Sequence, residues 1–301
     1  MRIGFFPGCS LEGSSREYLE SIREVAAVLG IELAEIPDWN CCGATAAHTL
    51  NHRLALALPA RTLALAEQAG LDEVVVPCSA CYNRLAGTRH ELLHDEALRQ
   101  QITDIIEMNW HGATRVLNVL EWLNRVVGEL PGHVSAPFGH RVACYYGCYL
   151  TRPKALAACR RIEDPTEMDD LVRAVGAEPI RWAYKVECCG AGLSVSRTES
   201  VARLSERIVS DAVERGAEAI VVACPMCHTN LDLRRDAILA AAPPGGRSRI
   251  AGIPVLYVTQ VVGLAMGVSL RPLGLHRHHV PVRLSAAPPS VAPAAAGEGE
   301  E

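Results

Sequence analysis

An excess of positive charge is the first thing this sequence lacks. Its 29 Lys and Arg face 34 Asp and Glu, a formal net charge of −5 at pH 7, so it offers no electrostatic footprint for nucleic acid. A membrane-length apolar run is missing too. The most apolar stretch, residues 253–270, contains Pro254 and is broken by Gln260, Gly263 and Gly267, so it reads as a strand followed by a core helix. The opening Arg2-Ile3-Gly4-Phe5-Phe6 has no charged segment leading into a long apolar one. No secretory leader is therefore expected, and a reducing, cytoplasmic setting is. No Gly-x-Gly-x-x-Gly turn stands out: Gly190-Ala191-Gly192 lacks the third glycine, so neither flavin nor NAD is expected in this chain. Charged residues make up only 21% of the 301 positions and hydrophobic ones 49%. That is enough apolar material for cores in two domains of about 130 to 150 residues each.

What the sequence does have is cysteine, twelve of them, in a repeated order. Pro7-Gly8-Cys9, Cys41-Cys42-Gly43-Ala44 and Pro77-Cys78-Ser79-Ala80-Cys81 recur as Tyr146-Gly147-Cys148, Cys188-Cys189-Gly190-Ala191 and Cys224-Pro225-Met226-Cys227. Between the single cysteine and the pair lie 31 residues in the first copy and 39 in the second; between the pair's glycine and the next cysteine lie 34 and 33. Five positions recurring in order indicate an internal duplication.

The flanking residues repeat as well. Residues 3–6 read as a strand entering Cys9, a helix is expected from about Ser14 with Glu17 completing a capping box, and Gly30 closes it. Residues 31–36 alternate as a strand, residues 50–69 have helical spacing, and Val74-Val75-Val76 is a buried-strand run ending at Cys78. Residues 82–130 look mainly helical, with one long helix over 100–127. In the second copy, residues 141–146 and 220–223 are strands before Cys148 and Cys224, 178–182 is a strand before the cysteine pair, and helices fall near 168–175 and 198–214. The order is that of an α/β protein with two pseudo-symmetric α/β domains, each with a small, mostly parallel sheet. We expect a first domain over residues 1–130, a linker over 131–140, a second domain over 141–284 and a disordered tail over 285–301.

Cysteine-rich chains in a reducing compartment point to metal or redox chemistry rather than disulfides. Five thiolates gathered in one apolar pocket carry more negative charge than it tolerates unless metal neutralises them. Tetrahedral zinc takes four ligands and leaves one cysteine over, whereas an iron–sulfur cluster uses five more naturally. A zinc-stapled fold remains the alternative on residue chemistry alone. The closely spaced ferredoxin run ending in Cys-Pro is absent.

Pro7-Gly8-Cys9-Ser10-Leu11, Asp38-Trp39-Asn40-Cys41-Cys42-Gly43-Ala44, Pro77-Cys78-Ser79-Ala80-Cys81, Cys188-Cys189-Gly190-Ala191-Gly192 and Cys224-Pro225-Met226-Cys227-His228 closely resemble the B subunit of heterodisulfide reductase, in the CCG-domain family. The resemblance runs from residue 1 to about residue 280. It implies two noncubane 4Fe-4S clusters. Cys9, Cys41, Cys42, Cys78 and Cys81 would hold one; Cys148, Cys188, Cys189, Cys224 and Cys227 would hold the other. It further implies an oxidoreductase component that reduces or forms a disulfide between the clusters. Its partners would be an iron–sulfur protein like the reductase's C subunit, which supplies electrons, a flavoprotein like its A subunit, which feeds that protein, and a small disulfide or thiol substrate. Disulfide cleavage takes two electrons, which suits a pair of one-electron centres. A second reading within the same family is a relay that passes electrons to another protein or a quinone without disulfide chemistry.

Outside the repeat, Cys144 and Cys159 read as small core hydrophobes. Asn83, Arg84, Lys185, His228 and His48 lie near the cysteines and could tune a cluster or meet an anionic substrate; capping or solvation is the plainer reading. The run His276-Arg277-His278-His279 reads as an exposed basic segment.

Overall fold

The computed structural model describes residues 1–44, 47–157 and 159–284, with the backbone but not the side chain of His48; the tail 285–301, expected to be disordered, lies outside the described residues. The first half forms strands β1 (Arg2–Phe5), β2 (Glu32–Glu35), β3 (Glu73–Val76) and β4 (Arg115–Asn118), and the second β5 (Arg141–Tyr145), β6 (Glu178–Pro179), β7 (Ala219–Val222) and β8 (Val255–Tyr257). The strand orders are β2-β1-β3-β4 and β6-β5-β7-β8, and every pairing is parallel. The two sheets share one topology, as the duplication requires. Short apolar runs such as Val74-Val75-Val76 and Ala219-Ile220-Val221-Val222 are fully buried, because helices cover parallel sheets on both faces.

Within each sheet the chain first moves outward, from β1 to β2 and from β5 to β6, then crosses back to β3 and β7 on the other side. Neighbouring strands therefore send their following segments in opposite directions, which opens a crevice at their carboxyl ends between β1 and β3, and between β5 and β7. The cysteines follow these strands.

Apolar contact joins the halves. Helix Arg16–Val28 turns Tyr18, Ile22 and Val25, all fully buried, toward helix Val258–Ala265 of the second half. Burial of each such side chain contributes about 1.5–3 kcal/mol. Tyr18 stacks on Tyr257 with ring centroids 3.9 Å apart, and the Ser21 and Thr259 hydroxyls are 2.7 Å apart. Residues 131–140 begin in the short helix Leu130–His133 and lie against the second half, with Ser135 and Ala136 N–H donating to Ala265 O and Phe138 N–H to Val175 O.

Some elements depart from the sequence expectation. The long helix expected over 100–127 is instead helix Glu96–Ile106, strand β4 and helix Val119–Arg125. The Ser14–Glu17 capping box does not form: the helix starts at Arg16, and Glu17 turns inward, where its Oε1 accepts from the Tyr257 hydroxyl at 3.4 Å. The strand over 178–182 shortens to β6, since Trp182 folds back to donate its indole N–H to Cys144 O at 3.1 Å.

Candidate metal centre

Ten of the twelve cysteines stand at the carboxyl edges of the two sheets. Cys9 follows β1 in the short helix Gly8–Glu12, Cys41 and Cys42 lie in the loop after β2, and Cys78 and Cys81 follow β3 at the start of helix Ser79–His94. Cys148 follows β5, Cys188 and Cys189 follow the 3-10 turn Tyr184–Val186 beyond β6, and Cys224 and Cys227 flank the start of helix Pro225–His228 after β7. Cys42, Cys78, Cys81, Cys189, Cys224 and Cys227 are buried, whereas Cys9, Cys41 and Cys188 are exposed.

No two of the twelve are joined in a disulfide. The Cys42 and Cys81 sulfurs are 3.1 Å apart, Cys189 and Cys227 3.6 Å, and Cys148 and Cys188 3.9 Å, well beyond a disulfide bond of about 2.05 Å. Cys9 interacts with Cys41, and Cys78 with Cys81. Cys78 also meets Cys224 of the other half. The two five-cysteine sets thus touch at Cys78 and Cys224 instead of standing apart.

In the Cys42–Cys81, Cys148–Cys188 and Cys224–Cys227 contacts one sulfur stabilises the other as thiolate. The Cys81 thiol holds Cys42 down at about 7, and Cys148 holds Cys188 at about 6 with help from the Gly190 and Ala191 N–H groups. The hydrogen bond to Cys188 pushes Cys148 up, and that from Cys227 brings Cys224 well below the ordinary thiol range. Thiolates brought this close are what a metal site needs, since the metal neutralises their charge.

A second observation fits a bound inorganic group. Gly8 and Gly147 hold φ of +64° and +67°, and a Cβ on either would stand 3.3 Å from Cys81 Sγ or 3.1 Å from Cys227 Sγ. Glycine takes this backbone without strain and leaves the space before each second Cys-x-x-Cys sulfur open. Both copies preserve the same cradle. Five thiols around it are one more than tetrahedral zinc takes, so the donor set fits an iron–sulfur cluster better.

The remaining candidates have other roles. Asn83 neither caps a helix nor faces solvent: its Nδ2 donates to Tyr149 O and Arg152 O, both at 3.0 Å, which ties the halves together beside Cys81. Lys185 is closed to an anionic substrate, because its buried Nζ donates to Asp169 Oδ1 at 2.8 Å and Pro165 O at 2.9 Å. Its own carbonyl accepts from Tyr146 and Gly147 N–H, so it joins the segments carrying Cys148 and Cys188. His228, kept neutral by burial, stacks on Tyr257 with centroids 4.4 Å apart and bonds Val255 O through Nε2. Arg84 is half-buried beside Cys42, and the His48 side chain lies outside the described residues.

The segment 276–279 is not wholly exposed. His278 is buried, with Nε2 2.8 Å from Gln260 Nε2. His228, Asp232 and His278 are close enough to suggest a metal. However, Gln260 already donates to His278, and both Asp232 oxygens accept N–H groups from His279 and Val280. Cys144 is fully buried, but Cys159 lines a cavity of about 330 Å³ between the halves with Asn118, Glu121, Tyr146 and Leu150. None of the ten cysteines lines that cavity.

The cysteine-rich domain CCG matches this chain twice, at residues 3–86 and 142–232. Over 280 residues, covering 92% of this chain and 96% of the relative, the sequence is 34% identical to the membrane anchor of the 8-methylmenaquinol:fumarate reductase of Wolinella succinogenes. It is 28% identical over 288 residues to the B subunit of the ferredoxin/F(420)H(2)-dependent CoB-CoM heterodisulfide reductase of Methanosarcina acetivorans, covering 93% and 94% of the two chains. Among solved structures, a hypothetical protein from Helicobacter pylori shares the fold with a TM-score of 0.73 at 13% identity. The match spans 94% of this chain and about half, 52%, of that one.

Proposed function

This chain belongs to the cysteine-rich CCG domain family, together with the B subunit of heterodisulfide reductase, and on that premise we propose that it is the disulfide-active component of an oxidoreductase complex. Cys9, Cys41, Cys42, Cys78 and Cys81 hold one noncubane 4Fe-4S cluster, and Cys148, Cys188, Cys189, Cys224 and Cys227 the other. The observation that carries the reading is the doubled glycine cradle with five thiols around each copy. When bound, the clusters supply one-electron transfer. The chain's own residues do the rest. Gly8 and Gly147 keep the space clear, and the Gly190 N–H, 3.3 Å from Cys188 Sγ, and Asn230 Nδ2, 3.5 Å from Cys189 Sγ, donate to the cysteine sulfurs. The Cys78–Cys224 contact supplies a short route between the two sites.

The overall reaction takes a disulfide, two electrons and two protons to two thiols, or runs in reverse. Electrons come from an iron–sulfur protein like the reductase's C subunit, served by a flavoprotein like its A subunit, in the reducing cytoplasm where free thiols persist. Among the described residues no helix is long and apolar enough to cross a membrane. The experiment is turnover of small disulfides by the anaerobically purified complex and by its Cys189→Ala variant. Turnover lost in a variant that still co-purifies with its partners supports the proposal; unchanged turnover removes the second site from the chemistry.

A second reading has its own support, in the relative from a quinol-linked fumarate reductase. Here the same two sites relay electrons between a quinol and a partner protein without disulfide chemistry. Reduction of the iron–sulfur centres by a quinol, with no turnover of any disulfide, would favour it.

A further inference from the structure

The duplication breaks beside the equivalent thiols Cys42 and Cys189. Each is second in its Cys-Cys pair, and each meets the last cysteine of its own Cys-x-x-Cys turn, Cys81 at 3.1 Å and Cys227 at 3.6 Å. Three residues past that cysteine the first half carries Arg84 and the second Asn230. Residues three apart on a helix share a face, so both side chains are directed toward the site. Arg84 is half-buried and its charge acts on Cys42; among the described residues no carboxylate pairs with it. Asn230 is 1% exposed and neutral. Its Nδ2 stands 3.2 Å from Cys189 O and 3.5 Å from Cys189 Sγ, and Ser194 Oγ lies 3.1 Å from its Oδ1.

Of the other charges near the two sites, Glu12 is exposed to solvent and Arg234 donates to Ser194 O at 2.8 Å rather than to a sulfur. Asp38, just before the first cysteine pair, is paired with Arg61, and Lys185, just before the second, is paired with Asp169. Glu187 adds a negative charge beside Cys188. Beside Cys42 the first site thus has a cation with no carboxylate partner among the described residues, and the second has a neutral amide beside Cys189 with Glu187 nearby. Reduction adds negative charge to an iron–sulfur centre, so a fixed cation in a low-dielectric setting favours the reduced form more than a neutral hydrogen bond does.

Granted the iron–sulfur reading on which this rests, we propose that Arg84 holds the first five-cysteine site at a higher reduction potential than the second, so that the first site fills with an electron before its twin. Arg84 is a tuning and positioning residue; it ligates nothing. The sequence order of the sites and their electron order are then the same, and the nearly symmetric fold is functionally polar.

The test is an EPR-monitored redox titration of the anaerobically purified complex carrying wild type, Arg84→Gln or Arg84→Lys. Wild type is expected to show two iron–sulfur signals with separate midpoints. Arg84→Gln is expected to move the higher one toward the lower by about tenfold in the oxidised-to-reduced ratio, ~59 mV for one electron, while the other signal stays in place. Arg84→Lys, which keeps the charge, is expected to restore most of the shift. Coincident midpoints in wild type overturn the proposal without any variant, as does an Arg84→Gln titration in which neither signal moves or both move equally. Wild-type complex with no iron–sulfur signal at all would instead sink the cluster assignment itself.

Discussion

Replacing Gly147 with alanine separates what the cradle does from what the backbone needs. At φ +67° an L residue pays roughly 1–2 kcal/mol for the left-handed conformation. The new methyl group would also stand 3.1 Å from Cys227 Sγ and 3.7 Å from the Tyr145 ring, so the sulfur must shift by a few tenths of an ångström. Gly30 is the matching control, with φ +64° and nothing within 4 Å of its Cβ position. Both Gly147→Ala and Gly30→Ala should lower Tm by roughly 2–6 °C, as about 1–2 kcal/mol does in a chain of this size. Only Gly147→Ala should also lose iron and acid-labile sulfide, about half of each, because it intrudes on one site of two. Gly8→Ala, 3.3 Å from Cys81 Sγ, should do the same to the other site. Iron and sulfide assays beside thermal denaturation read both effects. A Gly147→Ala protein with its full iron complement, or equal iron loss in Gly30→Ala, would refute the cradle.

Other expectations follow from the buried groups. Lys185→Met leaves Asp169 buried without its cation, which typically costs about 3–5 kcal/mol; chemical denaturation should show this loss, and adding Asp169→Asn should recover part of it. Burial raises the Glu17 carboxyl above its ordinary 4.5, so its contribution to stability is present below that value and is lost as pH rises through the folded-state pKa. The Tm advantage of Glu17→Gln over wild type should accordingly be small near pH 4.5 and grow toward neutrality; a pH-independent difference would contradict it. In iron-free protein, Cys188, exposed and held at about 6, should react with iodoacetamide at neutral pH well before Cys148, whose thiol is pushed up. Mass mapping of the labelled sites checks the order, and cluster-loaded protein should be protected.

The strands that lead into cysteines are readable from sequence because a strand buried on both faces is a continuous apolar run, as in Val74-Val75-Val76. Strand β4 is not: Arg115-Val116-Leu117-Asn118 has only two apolar residues, and helix-compatible spacing on either side absorbs them. The repeated motif indicates which cysteines belong together. It does not show that Cys78 meets Cys224, since a contact between copies leaves no trace in spacing within either. The roles of Lys185 and Asn83 escape sequence reasoning for a similar reason, their partners Asp169, Tyr149 and Arg152 being supplied only by the fold. The break between Arg84 and Asn230 is visible in the letters once the two Cys-x-x-Cys turns are aligned, but that no carboxylate pairs with Arg84 among the described residues is not.

Metal and sulfide analysis of the chain purified without oxygen bears most directly on whether these ten thiols hold redox centres. About eight irons per chain with a comparable amount of acid-labile sulfide is the expected result, four of each for every five-cysteine set. One or two zinc ions and no sulfide would contradict it and leave a duplicated α/β fold stapled by structural metal.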